Sequence, residues 1–182
     1  MPEEIEVPTE HLHEAIQEKA EEAKERWILY VALSTAFMAV LAAVAGLLAG
    51  HHANEALIER VKSSDQWSFY QSKSLKSEIA KNGDMILHAL APKDGPPIAD
   101  NSKDIARYEK EKEEIKKTAE EAEQASEAHL NKHVPLASAV TAFQIAIAIS
   151  AIAILTRRKK LWYAGMLLSL IGIVFFIVGI LP

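Results

Sequence analysis

The sequence contains no cysteine among its 182 residues, which excludes disulfides, thiolate metal ligands and cysteine nucleophiles and leaves the redox compartment unmarked. It has no basic excess either. Twenty Lys and Arg stand against 25 Asp and Glu, a formal net charge of −5, and no basic stripe of the kind that tracks a nucleic acid is present, so that partner class is set aside. Also missing are a Gly-rich phosphate loop, a serine in a nucleophile elbow and a His-Glu-x-x-His pair, so the chain does not read as an enzyme. Carboxylates are plentiful in 109–123, but they alternate with lysines at helical spacing, the pattern of a solvated helix supported by ion pairs.

The most informative absence is that of charge from three stretches. Residues 27–50, 134–155 and 161–181 contain no Asp, Glu, Lys or Arg, and each matches the roughly 20 helical residues needed to cross a hydrocarbon core. The mean hydropathy of +0.02 therefore averages two extremes and describes neither. The first stretch is longer than the apolar core of a signal peptide and follows Glu-rich residues, so it reads as an uncleaved anchor. The short loop 156–160 carries Arg157, Arg158, Lys159 and Lys160, and by the positive-inside bias it stays in the cytoplasm. Lys24 and Arg26 before the first span agree. Three spans then place the acidic N-terminal arm, 1–26, inside and residues 51–133 outside, which in a diderm bacterium means the periplasm. The arm is expected to be helical from Thr9 and to run straight into the first span.

Residues 51–133 show a heptad-like pattern rather than the alternation of a strand. Steps of three and four from His51 pass through Asn54, Ile58, Val61, Asp65, Ser68, Ser72, Leu75, Ile79, Asn82, Ile86 and Ala89. A second walk gives Ile105, Tyr108, Lys112, Ile115, Ala119, Ala122, Ser126, His129 and His133. Between them Pro92, Gly95, Pro96 and Pro97 break any helix. The expectation is an all-α chain: three transmembrane helices with a long extramembrane antiparallel, coiled-coil-like helical hairpin between the first two, turning near 91–101. With no Gly or Pro between His52 and Asn82, the first span continues as a stalk of up to about 50 Å, and Gly83 marks a kink or local end. Both stripes carry polar residues, so the seam needs neighbours, which predicts a homo-oligomer.

Small residues recur every fourth position in the spans: Ala42, Gly46 and Gly50; Ser138, Ala142, Ala146 and Ser150; Gly165 and Ser169. These are ladders for close helix packing, with a pore lining as the alternative. The spans hold no carboxylate, histidine or cation, only Gln144 and a few hydroxyls, which argues against a proton relay, a coupled transporter and a voltage sensor.

The segment Trp67-Ser68-Phe69-Tyr70-Gln71-Ser72-Lys73, lying between one span and two further spans, resembles the Trp-x-Phe-Tyr-Gln-x-Lys core of a bacterial inner-membrane family catalogued as domain of unknown function 4337 (DUF4337). The likeness extends over nearly the whole chain. It implies a three-span architecture and a bacterial inner membrane, and no activity. Trp67, Phe69, Tyr70, Gln71 and Lys73 read as a helix-contact patch, with an aromatic and cationic ligand cradle as the sharper alternative.

Seven histidines remain. His129 and His133 share a helix face at a spacing of four, and the antiparallel arrangement brings His51 to their level. Three imidazoles there suit zinc, copper or nickel, with Glu55 or Glu127 as an oxygen ligand. Comfortable placement at the water interface, and a cluster titrating near neutral pH, are the competing readings. No other cofactor is implied. The functional expectation is a membrane-anchored scaffold or accessory subunit whose partners are the bilayer, itself and another membrane complex. A small oligomeric channel and an envelope metal or pH sensor are the alternatives.

Overall fold

The computed structural model describes the backbone of residues 9–90 and 101–181 and the side chains of 26–90 and 101–181. Three helices account for nearly all of it: α1 (Thr9–Leu90), α2 (Ser102–Thr156) and α3 (Lys159–Ile180). No strand occurs among the described residues. Each helix contains a segment long and apolar enough to cross a membrane. The expected turn falls on 91–100, outside the described residues. Gly83 does not end α1. The helix runs on through it to Leu90, because one glycine costs only about 1 kcal/mol against alanine. Pro135 likewise lies inside α2.

The chain divides into two compact units, one of Met1–Ala49 with Val134–Pro182, the other Gly50–His133. In the first unit the apolar segments of all three helices pack together. Val31, Met38 and Ala45 of α1 are buried at seven-residue spacing, beside Ala139, Phe143 and Ala146 of α2. Gly165, Gly172 and Gly179 of α3 repeat the same interval and are buried too. A Cβ at Gly165 would lie 2.9 Å from Ser150 Oγ and 3.1 Å from the Ala146 carbonyl oxygen, one at Gly172 3.0 Å from the Phe143 ring, and one at Gly179 2.6 Å from Leu136 Cγ. A side chain at Gly165 or Gly179 would force a neighbour to move, and one at Gly172 would be tight. Close backbone approach is what holds helices together in lipid, where burying another leucine gains little.

The outward faces of these segments carry Leu29, Leu33, Phe37, Val40, Leu47, Leu167, Leu170, Val174 and Val178, all exposed, a surface suited to hydrocarbon. Several hydroxyls in the spans are satisfied locally: Thr35 donates to the Val31 carbonyl (2.7 Å), Ser138 to Val134 (2.9 Å) and Thr141 to Ala137 (3.0 Å), as an apolar medium favours, whereas the buried Ser150 Oγ has no hydrogen-bond partner among the described residues. Trp162 Nε1 donates to Ser34 Oγ across α3 and α1 (3.2 Å). The α2–α3 connection is a tight helix end. Arg157 has φ 54°, and the amides of Arg157 and Arg158 donate to the carbonyls of Ile154 (3.2 Å) and Ala153 (3.1 Å), the bonding pattern of a left-handed helix terminus normally given to glycine.

Candidate functional site

Within the Gly50–His133 unit, α1 and α2 lie antiparallel, as successive contacts show. His52 meets His129, Arg60 meets Glu123, Lys81 meets Glu109 and Asp84 meets Asn101. The seam between them is built from small residues. Ala56, Ser63 and Ser77 of α1 are buried against Ile115, Ala119, Ala122 and Ser126 of α2. Ser126 Oγ donates to the Ala56 carbonyl at 2.8 Å, a bond that only close helix approach allows.

Farther along the pair the seam turns polar and aromatic. Glu109 accepts from Ser77 Oγ (2.7 Å), Lys81 Nζ (2.9 Å) and Lys112 Nζ (2.9 Å). The Lys112 and Lys81 ammonium groups, with the Ser77 hydroxyl, hold its carboxyl down to about 2. Lys73 pairs with Glu111, whose carboxyl is lowered chiefly by that contact. The Lys73 ammonium also lies 5.2 Å from the centroid of the Phe69 ring and 5.6 Å from that of Tyr108, while Lys112 lies 5.7 Å from that of Tyr70. Trp67 packs edge-on to Tyr70 at 5.6 Å. Tyr70 and Lys73 thus meet side chains of α2 in the same chain, whereas Phe69 and Gln71 are exposed.

The two heptad walks fare differently. Every member of the α2 walk, Ile105 to His133, is buried or half-buried, and every member of the α1 walk, His51 to Ala89, is exposed. The α1 seam lies instead on the opposite face, where Ala56, Ser63, Tyr70, Ser77 and Asp84 recur every seventh residue. Hydrophobicity ranked the faces in the wrong order, because close packing selects alanine and serine over isoleucine. Seven-residue spacing of small residues was the available signal. The consequence is an unpartnered apolar row on α1, with Ile58 at 56%, Val61 at 52%, Leu75 and Ile79 at 62% and Ile86 at 58% exposure.

Four of the five histidines with described side chains, His51, His52, His129 and His133, gather at one end of this unit, so that His52 joins the expected three. His52, not His51, meets His129: their Nδ1 atoms are 3.0 Å apart and their rings 5.3 Å centre to centre. His51 packs on the other side of His52, at 5.4 Å between ring centres. Adjacent residues on a helix point about 100° apart, so His51 and His52 cannot both face α2. His133 is half-buried and His88 exposed. No group of three or more His, Asp or Glu side chains among the described residues is disposed to hold a metal ion. Arg157, Arg158, Lys159 and Lys160 are all exposed, and the Lys159 ammonium lies 6.0 Å from the centroid of the Trp27 ring.

A family model described as a domain of unknown function, DUF4337, matches residues 27–182. No curated protein matches the chain, and no solved structure does.

Proposed function

The chain belongs to the DUF4337 family, which carries no assigned activity, and from its geometry we propose a membrane-anchored scaffold or accessory subunit that self-associates through the apolar row of α1. That exposed row is the observation that carries the reading. Ile58, Val61, Leu75, Ile79 and Ile86 fall on the 3.5-residue repeat of a coiled-coil seam, and among the described residues none buries them. The close-packing residues of α2 and α3 are spent within the chain, where Ala142, Ala146 and Ser150 are buried with Gly165 and Ser169.

Copies inserted in one orientation present their α1 helices parallel, so the rows meet in register, Ile79 on Ile79 and Ile86 on Ile86. Asp65, Ser68 and Ser72 interrupt the row, so the contact is made in two stretches. Burying the exposed halves of five such side chains contributes about 4–8 kcal/mol per copy, against an association cost of about 4–15 kcal/mol in solution. Confinement of every copy to one bilayer plane removes part of that cost. Counted over both copies of a pair, about 8–16 kcal/mol, the row is sufficient for association of copies held in one bilayer.

The reading places the protein in a bacterial inner membrane as a multi-pass protein with a cytoplasmic N-terminus and an extracytoplasmic helical hairpin. The four cations at 157–160 support this orientation, and Trp27 and Trp162 beside them suit a membrane interface on either side. A further membrane complex docks on the same row where copies leave it free. The test is the mass of the detergent-free protein in native nanodiscs. Multiple copies are expected for the natural chain and a single copy when Ile58, Leu75, Ile79 and Ile86 are all changed to Gln. A natural chain that is monomeric and co-purifies with no other protein overturns the reading, as does reproducible conductance of the purified protein in planar bilayers.

A further inference from the structure

The cluster of His51, His52, His129, Lys132 and His133 is not used by self-association, and its geometry is specific. His52 Nδ1 and His129 Nδ1 converge to 3.0 Å from two different helices. Without an ion, that distance requires one ring to carry its proton on Nδ1 and the other on Nε2. A four-coordinate ion with bonds of about 2.0–2.1 Å places two ligand nitrogens about 3.3 Å apart, so a ring shift of a few tenths of an ångström turns the hydrogen-bonded pair into a chelating one. The exchange moves one proton from Nδ1 to Nε2 of the same ring and releases none.

The helices are also closely packed at this level. Ala56 lies one turn from His52 and Ser126 one turn from His129. Both are buried, and the Ser126 hydroxyl bonds the Ala56 carbonyl at 2.8 Å. A ligand pair fixed by such packing is pre-organised before an ion arrives. Both rings are half-buried rather than sealed, which leaves the ion's remaining positions open to water.

We propose that His52 and His129 form a two-imidazole site for a divalent transition-metal ion of the zinc, copper and nickel class, completed by water. Imidazole is the borderline donor these ions prefer, and the absence of a carboxylate from the pair disfavours magnesium and calcium. Burial and the nearby His129, His51, Lys132 and His133 lower the tendency of His52 to protonate, which keeps its ring in the neutral form a metal needs. The site differs from a His51, His129 and His133 set in one ligand that matters: His51 is a neighbour of the site and not part of it.

The experiment is calorimetric titration of the full chain in nanodiscs with zinc chloride, and electron paramagnetic resonance of the same sample with copper(II). One ion per chain is expected, with two nitrogen couplings in the copper spectrum. His52→Ala and His129→Gln should each weaken binding at least tenfold and reduce the couplings, while His51→Ala leaves both unchanged. His52→Cys should restore zinc, since a thiolate replaces the imidazole. Three results overturn the proposal: no saturable zinc binding by the natural chain, zinc binding unaffected by His52→Ala, or binding abolished by His51→Ala. Copy number in nanodiscs, read on the same samples, is unchanged by the histidine variants, so failure of this site and failure of self-association are told apart.

Discussion

Gly179→Ala tests the packing logic of the spans at its tightest point. The new Cβ would stand 2.6 Å from Leu136 Cγ, 2.9 Å from its Cδ2 and 3.2 Å from its backbone nitrogen. Ordinary carbon contacts lie at about 3.5–4.0 Å, so about 1 Å must be found. Leu136 is fully buried, at 0% exposure, and cannot simply swing away, while the third contact is backbone and cannot yield without moving α2. Overpacking of this kind costs about 1–3 kcal/mol, offset by about 1 kcal/mol of helix propensity gained on replacing glycine. The net expectation is a loss of about 1 kcal/mol. Leu136→Ala alone should cost about 2–5 kcal/mol, yet in the double variant the added methyl meets no leucine and fills part of the cavity. The two changes should therefore couple favourably by about 1–3 kcal/mol. Unfolding equilibria of the four proteins in mixed micelles measure this directly. Additive effects, or a Gly179→Ala protein more stable than the natural chain, would refute the contact.

Glu109 gives a pH dependence of known sign. Its folded value of about 2 lies below the ordinary 4.5, so its contribution is complete above about pH 4.5 and is lost as pH falls through 2; the urea-midpoint difference between the natural chain and Glu109→Gln should shrink over that window and stay flat above it. Arg157→Gly should stabilise the α2–α3 connection by about 1 kcal/mol, because the left-handed φ of 54° is costly for any residue with a Cβ, whereas Arg157→Ala should not; equal gains from both would remove the backbone explanation. Ala119→Leu, at a position with 0% exposure, should cost about 1–3 kcal/mol and release amide-exchange protection along both helices of the Gly50–His133 unit, while Ile79→Leu leaves protection intact.

The three membrane-length helices were legible because charge is absent from 27–50, 134–155 and 161–181, and runs of about 20 apolar residues match a helix crossing a bilayer rather than the shorter strands of a barrel. The α2 stripe from Ile105 to His133 was legible for a related reason, since its small and apolar residues coincide. On α1 they separate. Isoleucine and leucine occupy one face while Ala56, Ser63 and Ser77 occupy the other, and helix separation rather than hydrophobicity decides which face is inside. Residue identity and spacing do not encode that separation. The same blindness affected the histidines: a spacing of four correctly marks His129 and His133 as sharing a face, but whether His51 or His52 looks across to α2 depends on the rotation of α1, which the seam of small residues sets. At Gly83 no helix end occurs, because α1 continues to Leu90 and a single glycine is too small a penalty to stop a long helix.

Self-association through the α1 row is tested most directly by single cysteines, which the natural sequence makes clean because it contains none. Each residue from 75 to 86 is changed to Cys in turn and oxidised in native membranes. Intermolecular disulfides are expected to peak at positions 75, 79, 82 and 86 and to fall away at Ser77 and Asp84, which face α2. A flat profile, or a maximum at the buried positions, would contradict the account.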